Sequence, residues 1–343
     1  MTTGLPRPPT GGRRLEDFVV QPHLRGVLMA ASKDPDAKLT FITTTGTGPG
    51  TERVAVKIPT TIQAGVAVER EGRMLVELRR MGLGALTDTV PRYVGSLHVD
   101  GRPVLVSTAL TGRPMSIAYH RWLHTARPRL VREDLGLALR WLRELWHASA
   151  RGDAALTWAG DTAGTLCGRW DGHPLLDAAL TRLELVDSRL SGLSCSRTAV
   201  HGDFWFGNVL VDQGLVTGVV DWEAGSTTDW PLRDLARFAL SYSLYLDRHT
   251  RPRAAVLGHP GLRRDGTAPG VAYALQGKGW FPGLVRSFLA DGLTSLGLSR
   301  SLWYDVALVG VAEVAASAND DAFGEQHLEL LAGLTLRPRR LRR

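Results

Sequence analysis

The chain has 343 residues, 44% hydrophobic and 22% charged, which is the balance of a globular protein with a sizeable core and excludes wholesale disorder. No stretch reaches about 18 uninterrupted apolar residues, the best candidate at Ser301–Ala318 being broken by Asp305 and Glu313, so no membrane span is expected. The net charge of +7 is mostly local: five arginines (Arg337, Arg339, Arg340, Arg342 and Arg343) fall within the last seven residues, and the rest of the chain is nearly balanced.

In chain order, residues 1–16 read as a disordered leader. The polar, Pro- and Gly-rich start at Met1–Gly12 has no apolar h-region, so no secretory signal is expected. Cys167 and Cys195 are too few for a disulfide framework or a zinc site. Reduced thiols and a cytoplasmic location follow as expectations. Residues 17–110 form a β-rich lobe of short strands at Phe18–Val20, Gly26–Met29, Leu39–Thr43, Arg53–Lys57 and Val104–Val106, separated by Gly, Pro and Asp clusters. One helix interrupts them over Val66–Gly82, where Met74, Leu75, Leu78 and Met81 recur at helical spacing. Residues 111–336 change character. Helices are predicted at Leu135–Ala148, Asp234–Leu246, Leu284–Ala290, Leu302–Ala316 and His327–Leu334, with one β segment at Ala199–Trp222. Arg248–Lys278, rich in Gly, Pro and Arg, reads as a long loop or partly ordered insertion. The basic tail at 337–343 reads as a solvated end rather than a nucleic-acid site, because no nucleic-acid fold motif accompanies it. The fold class expected is α+β, a small antiparallel β-lobe with one helix followed by a larger helical lobe.

The richest stretch for chemistry is His201-Gly202-Asp203-Phe204-Trp205-Phe206-Gly207-Asn208-Val209-Leu210-Val211, a polar turn at Asp212-Gln213-Gly214, and Leu215 to Glu223. Two apolar runs joined by a Gly-containing turn predict a hairpin. Asn208 opens its first strand and Asp221 closes its second, so both side chains are expected at one end of the ribbon, with Asp203 five residues before Asn208 in the loop leading in. A carboxylate and an amide oxygen in this arrangement suit a hard divalent cation such as Mg²⁺, with phosphate oxygens completing its shell.

H-G-D-x-x-x-x-N, a hairpin and V-D-W together resemble the aminoglycoside phosphotransferase family, which is related in fold to the protein kinases. Asp221-Trp222-Glu223 stands where protein kinases carry D-F-G, and Asp234-Leu235-Ala236 matches a later family Asp-x-Ala. The resemblance implies a bilobal protein-kinase-like fold and transfer of the γ-phosphate of ATP to a hydroxyl of a small molecule. It implies Asp203 as the base for that hydroxyl and Asn208 and Asp221 as Mg²⁺ ligands. Lys57, at the end of Val54-Ala55-Val56-Lys57, would hold the α- and β-phosphates, and Glu71 on the following helix would hold Lys57. Ser107, Thr108, Ala109 and Leu110 would be the linker whose backbone amides meet the adenine edge, and Ala31–Asp36 the turn covering the nucleotide. Gly46-Thr47-Gly48-Pro49-Gly50 lies too close to Lys57 to be that turn and reads as a connection between strands. His201 and Asp234 are expected to be structural.

Two rivals share these motifs. A catalytically silent nucleotide-binding regulator would be free to lose Lys57, Asp203, Asn208 or Asp221, yet all are present. A protein kinase would carry A-P-E and an activation loop after Asp221, and Asp229–Leu235 follows almost at once. For the acceptor, the aromatics of the loop and the arginines of Arg248–Lys278 favour a neutral or anionic sugar-like molecule over a polycation. Asp320, Asp321 and Glu325 read as a solvated loop between helices.

Overall fold

The computed structural model describes residues 27–31, 36–45 and 52–334. The leader, the strand expected at Phe18–Val20, most of the turn at Ala31–Asp36, the Gly46–Gly50 connection and the basic tail lie outside the described residues. The chain divides into two compact units. The first runs to Pro114 and takes in residues 201–203 and 208–227; the second holds residues 115–200, 204–207 and 228 onward. The hairpin that chain order would assign to the helical lobe therefore clusters with the N-terminal sheet.

In the first unit, strands β1 (Val27–Ala31), β2 (Lys38–Thr45), β3 (Glu52–Pro59), β4 (Tyr93–Val99) and β5 (Arg102–Thr108) form one antiparallel sheet in the order β1-β2-β3-β5-β4. Helix α1 (Ile62–Met81) follows β3. Alternation gives β3 two faces. Val54 and Val56 pack with Leu97, Val104 and Val106 in one cluster, while Lys57 and its register partner Leu105 share the other face. Helix α1 starts at an N-cap, Thr61, whose hydroxyl accepts from the Ala64 amide, and ends at Gly82 in the left-handed conformation. Its buried side holds Ala64, Val68, Glu71, Leu75 and Leu78. A short strand β6 (Arg113–Pro114) pairs with β7 (Val209–Asp212), which pairs antiparallel with β8 (Leu215–Val219).

The second unit is helical: α2 (Met115–Tyr119), α3 (Pro128–Ser149), α4 (Trp158–Arg169), α5 (Leu176–Leu190), α6 (Leu232–Leu244), α7 (Pro269–Gln276), α8 (Trp280–Ser295), α9 (Trp303–Ser317) and α10 (Asp321–Gly333). Helix α3 buries Val131, Leu135, Ala138, Leu142 and Leu145 along one stripe, the amphipathic pattern that made it legible. Helix α9 is buried on nearly every side, and its two acids are compensated. Asp305 accepts from Arg189 at 2.7 Å, and Glu313 accepts from Arg233. No described helix is long and apolar enough to cross a membrane.

Two sequence expectations need correction. Of the two readings of Arg248–Lys278, the partly ordered insertion holds and the long loop does not: α7 occupies Pro269–Gln276, an isolated bridge joins Ala255 to Arg263, and Val256, His259 and Leu262 are buried. Proline at the first helical position starts α7, a composition that reads as loop when the pattern is short. Asp320 does lie exposed in the loop between α9 and α10, but Asp321 and Glu325 fall within α10 rather than in that loop. Asp320 caps α10 by accepting from the Phe323 amide at 2.8 Å, and Asp321 lies in the helix's first turn.

Candidate active site

Lys57 lies on the α1 face of β3 and is 8% exposed; Glu71, on the buried stripe of α1, is 1% exposed. A carboxylate on such a stripe demands a partner, and Lys57 Nζ supplies it, at 2.7 and 2.6 Å from the two Glu71 oxygens. The same ammonium donates to Asp221 Oδ1 at 2.8 Å. Burial alone would lower the Lys57 pKa, but Asp221 and then Glu71 outweigh it and hold the ammonium charged, well above its usual value. Burial would likewise raise Asp221; Lys57 first and Lys38 second pull it far below the ordinary carboxylate range. Asp221 keeps 35% of its side-chain surface exposed, so one side of this buried network is open.

Asp221 has φ +73°, a left-handed conformation that costs a non-glycine residue roughly 1–2 kcal/mol. It turns the chain from β8 into a short 3₁₀ turn at Trp222–Ala224, whose first amide donates to Glu71 Oε1 at 3.4 Å. At the start of β7, the Val220 amide donates to the Asn208 carbonyl at 3.0 Å, so Asn208 faces the residue next to Asp221 across the hairpin. The Asn208 amide donates to the Asp203 carbonyl at 3.1 Å and reaches Asp203 Oδ2 at 3.4 Å. The expected convergence of Asp203, Asn208 and Asp221 at one end of the ribbon is thus the observed placement.

Both ring nitrogens of the fully buried His201 are engaged. Nδ1 accepts from the Asp203 amide at 3.2 Å, so Nε2 carries the proton it gives to the Val220 carbonyl at 2.9 Å. A histidine held at both nitrogens braces the loop. Gly202 explains why this loop reads H-G-D. Its φ is +79°, and a Cβ there would fall 2.2 Å from the Ala224 carbonyl oxygen. Asp234 is fully buried in the first turn of α6.

The linker amides behave differently from the expectation. The Thr108 and Ala109 amides donate to the Arg92 and Arg53 carbonyls, each at 2.9 Å, and Ser107 pairs with Ala55 and Tyr93 inside the sheet. Sheet pairing extends further along this segment than a linker assignment allows, so the amides of Thr108 and Ala109 are not free to meet an adenine edge.

Sequence reading missed two members of the network. Lys38, two residues from Thr40, the register partner of Lys57, lies on the same face of β2; it pairs with Glu223 and comes within 3.8 Å of Asp221. The signal was the register between β2 and β3, which a single sequence does not give. Glu71, Asp221 and Glu223 offer carboxylate oxygens within 4.8 Å of one another. Asn208 and Asp221 offer hard oxygen donors, and Glu223 lies beside Asp221, a chemistry that would suit Mg²⁺.

No protein of curated function matches the sequence. Among solved structures, aminoglycoside phosphotransferase APH(4)-Ia aligns at 11% identity over 90% of this chain and 92% of that one, with a TM-score of 0.52. A thermostable mutant of the same enzyme in ternary complex with AMP-PNP and hygromycin B aligns at 12% identity over 90% and 93%, with a TM-score of 0.51. Identities this low establish a shared fold. Residues 36–271, more than two thirds of the chain, match the phosphotransferase enzyme family, APH. The match spans Lys57, Glu71, the His201–Asn208 loop and Asp221, so sequence and fold agree that the chain belongs to the phosphotransferase enzyme family.

Proposed function

We propose that this protein transfers the γ-phosphate of ATP to a hydroxyl group of a small molecule. The observation that carries the reading is the Lys57–Glu71–Asp221 network, closed by burial on one side and open at Asp221, with Asp203 and Asn208 at the same end of the hairpin. Lys57, held by both oxygens of Glu71, places a fixed positive charge for the α- and β-phosphates. Asn208 and Asp221 would hold Mg²⁺, which when bound neutralises charge on the β- and γ-phosphates. Asp203 orients the acceptor hydroxyl and takes its proton. The acceptor oxygen bonds to the γ-phosphorus as the bond to the β–γ bridging oxygen breaks, and ADP leaves with that electron pair. Catalysis is then mostly positioning and charge stabilisation.

The ternary complex of an APH(4)-Ia mutant with AMP-PNP and hygromycin B supports this use of the fold for a nucleotide and a small molecule together. Helix α6 begins at Leu232, soon after Asp221, which leaves no room for a long activation segment and favours a small acceptor over a protein. With Thr108 and Ala109 committed to the sheet, adenine recognition falls to the linker from Leu110 onward. The test is ATP consumption by purified protein with Mg²⁺ against a panel of sugars, amino sugars, nucleosides and choline. Acceptor-stimulated ADP release that Asp203→Asn abolishes is expected; ATP bound without turnover on any acceptor would instead mark a silent regulator.

A further inference from the structure

The four residues after Asp203 belong to the second unit, and their aromatic side chains do two different things. Phe204 and Phe206 are fully buried, Phe204 stacked on Trp141 at 5.2 Å and Phe206 on Tyr119 at 4.3 Å. Trp205 between them is half-buried. Its indole lies across Gly207, where a Cβ would fall 2.4 Å from the ring, and the ring centroid is 6.3 Å from that of Tyr245, the half-buried residue that ends α6. Three side chains able to carry positive charge surround this pair. His120, just past α2, packs edge-on to Phe206, Tyr245 and His249, at 6.2, 6.3 and 5.5 Å. Arg248 Nη1 lies 3.4 Å from His120 Nε2, and its guanidinium sits 5.5 Å from the Tyr245 centroid.

Arg248 is exposed and forms no ion pair among the described residues, while His120 Nδ1 is buried without a hydrogen-bond partner. Burial first, then Arg248 and His249, hold the His120 pKa down. Arg248 is thus a fixed positive charge without a carboxylate partner among the described residues, and an anion would supply one. The acid nearest in sequence, Asp247, lines a cleft of about 520 Å³ with Glu325 and Glu329 and also acts on Tyr119, the ring stacked on Phe206. Two carboxylates of that cleft are already engaged, Glu325 with His173 at 3.3 Å and Glu329 with the Thr267 hydroxyl at 2.8 Å.

We propose that the Trp205–Tyr245–His120–Arg248 patch seats an anionic sugar-like acceptor, its ring against the aromatic pair and its carboxylate or phosphate on the Arg248 guanidinium. Aromatic faces suit the apolar face of a pyranose, and a guanidinium suits a planar or tetrahedral oxyanion bidentately. The patch begins two residues after Asp203 in the chain, which is what ties it to the acceptor side of the proposed reaction. The inference rests on the phosphotransferase reading and narrows it to acceptors bearing negative charge.

The experiment compares D-glucuronate, glucose 6-phosphate, D-glucose and kanamycin in two arms, ATP-dependent transfer and titration calorimetry, using the full chain and its Arg248→Met variant. One or both anionic sugars should exceed glucose by about tenfold or more in kcat/KM, and Arg248→Met should reduce that ratio about tenfold, the loss of one charge-assisted contact. Glucuronate against glucose 6-phosphate separates a carboxylate from a phosphate site. Kanamycin as the preferred acceptor, or an Arg248→Met effect equal on charged and neutral sugars, overturns the proposal. If nothing is phosphorylated but an anionic sugar binds more tightly than glucose in an Arg248-dependent way, the patch stands and the kinase reading falls. If neither anion binds or reacts better than glucose, the patch assignment falls.

Discussion

Buried charge occurs in both units, and the two instances differ in one respect. In the second unit, Arg233 is held between Asp229 and Glu313, and Arg189 closes on Asp305; each acid has its partner, and the groups brace α5, α6 and α9. In the first unit, Lys57 and Lys38 share Asp221 and Glu223, and Asp221 keeps a third of its side-chain surface open. Both networks shift their pKa values. Burial works against the Arg233 charge but its two acids hold the guanidinium above its usual value, much as Asp221 and Glu71 do for Lys57. A perturbed pKa therefore does not mark a functional site by itself. An unfinished coordination sphere facing outward does.

The sharpest way to break this comparison is to remove the open carboxylate. Asp221→Ala should reduce phosphoryl transfer to background at ordinary Mg²⁺, with the fold retained by circular dichroism; an active variant would show that the open side is incidental. Asp203→Asn should keep ATP binding and melting temperature while lowering kcat by about 10²-fold or more, the contribution of a positioned general base. Next comes a matched pair. Glu71→Gln should lower kcat more than stability, since Lys57 keeps Asp221 as a partner. Glu313→Gln should leave turnover per folded molecule unchanged but destabilise by about 3 kcal/mol, because Arg233 loses one of its two acids in a mostly buried setting. Denaturant titration beside initial rates separates the two.

A smaller effect concerns pH. Burial pushes both His259 and His327 down to about 4. Each is neutral when folded and protonates more readily when unfolded, so their contribution is complete above about pH 6.5 and is lost as pH falls toward 4. Unfolding free energy should decline across that window by up to about 3 kcal/mol per histidine. The decline should be shallower in His327→Gln, and equal stability at pH 7 and pH 4.5 in the parent would refute it. Smallest of all, Asp321 is 93% exposed in its pair with Arg169, and Asp321→Asn should shift stability by no more than about 0.5 kcal/mol.

How much of this was legible in sequence depended on the strength of local pattern. The hairpin was readable because apolar alternation and a Gly-containing turn fix it, and the H-G-D loop and Lys57 because they resemble motifs of a known family. The stripe of α3 was equally plain. Helix α4 was not, because Gly160, Gly164 and Gly168 weaken its propensity and only Trp158, Ala159, Thr162 and Leu166 are buried. Strand β4 hid behind Gly95 in a run of mixed polarity. Glu71 was selected over Glu69 and Glu77 by likeness to a family segment, although position alone would have decided it: it falls in phase with Ala64, Val68, Leu75 and Leu78, whereas the other two do not. Lys38 and the commitment of the Thr108 and Ala109 amides depend on which strands pair and in what register, which is long-range information.

The contact between Lys57 and Asp221 bears on the order in which ligands arrive. To free Asp221 for a cation, the ammonium, itself buried, must give up one of its anionic contacts. A cation arriving alone offers nothing in return. A cation arriving on a polyphosphate brings oxygens for Lys57 to turn to, so both exchanges are matched at once. If Asp221 takes the cation as proposed, the salt bridge would act as a threshold against bare metal, and occupancy of the site should track the metal–nucleotide complex rather than the concentration of the free ion.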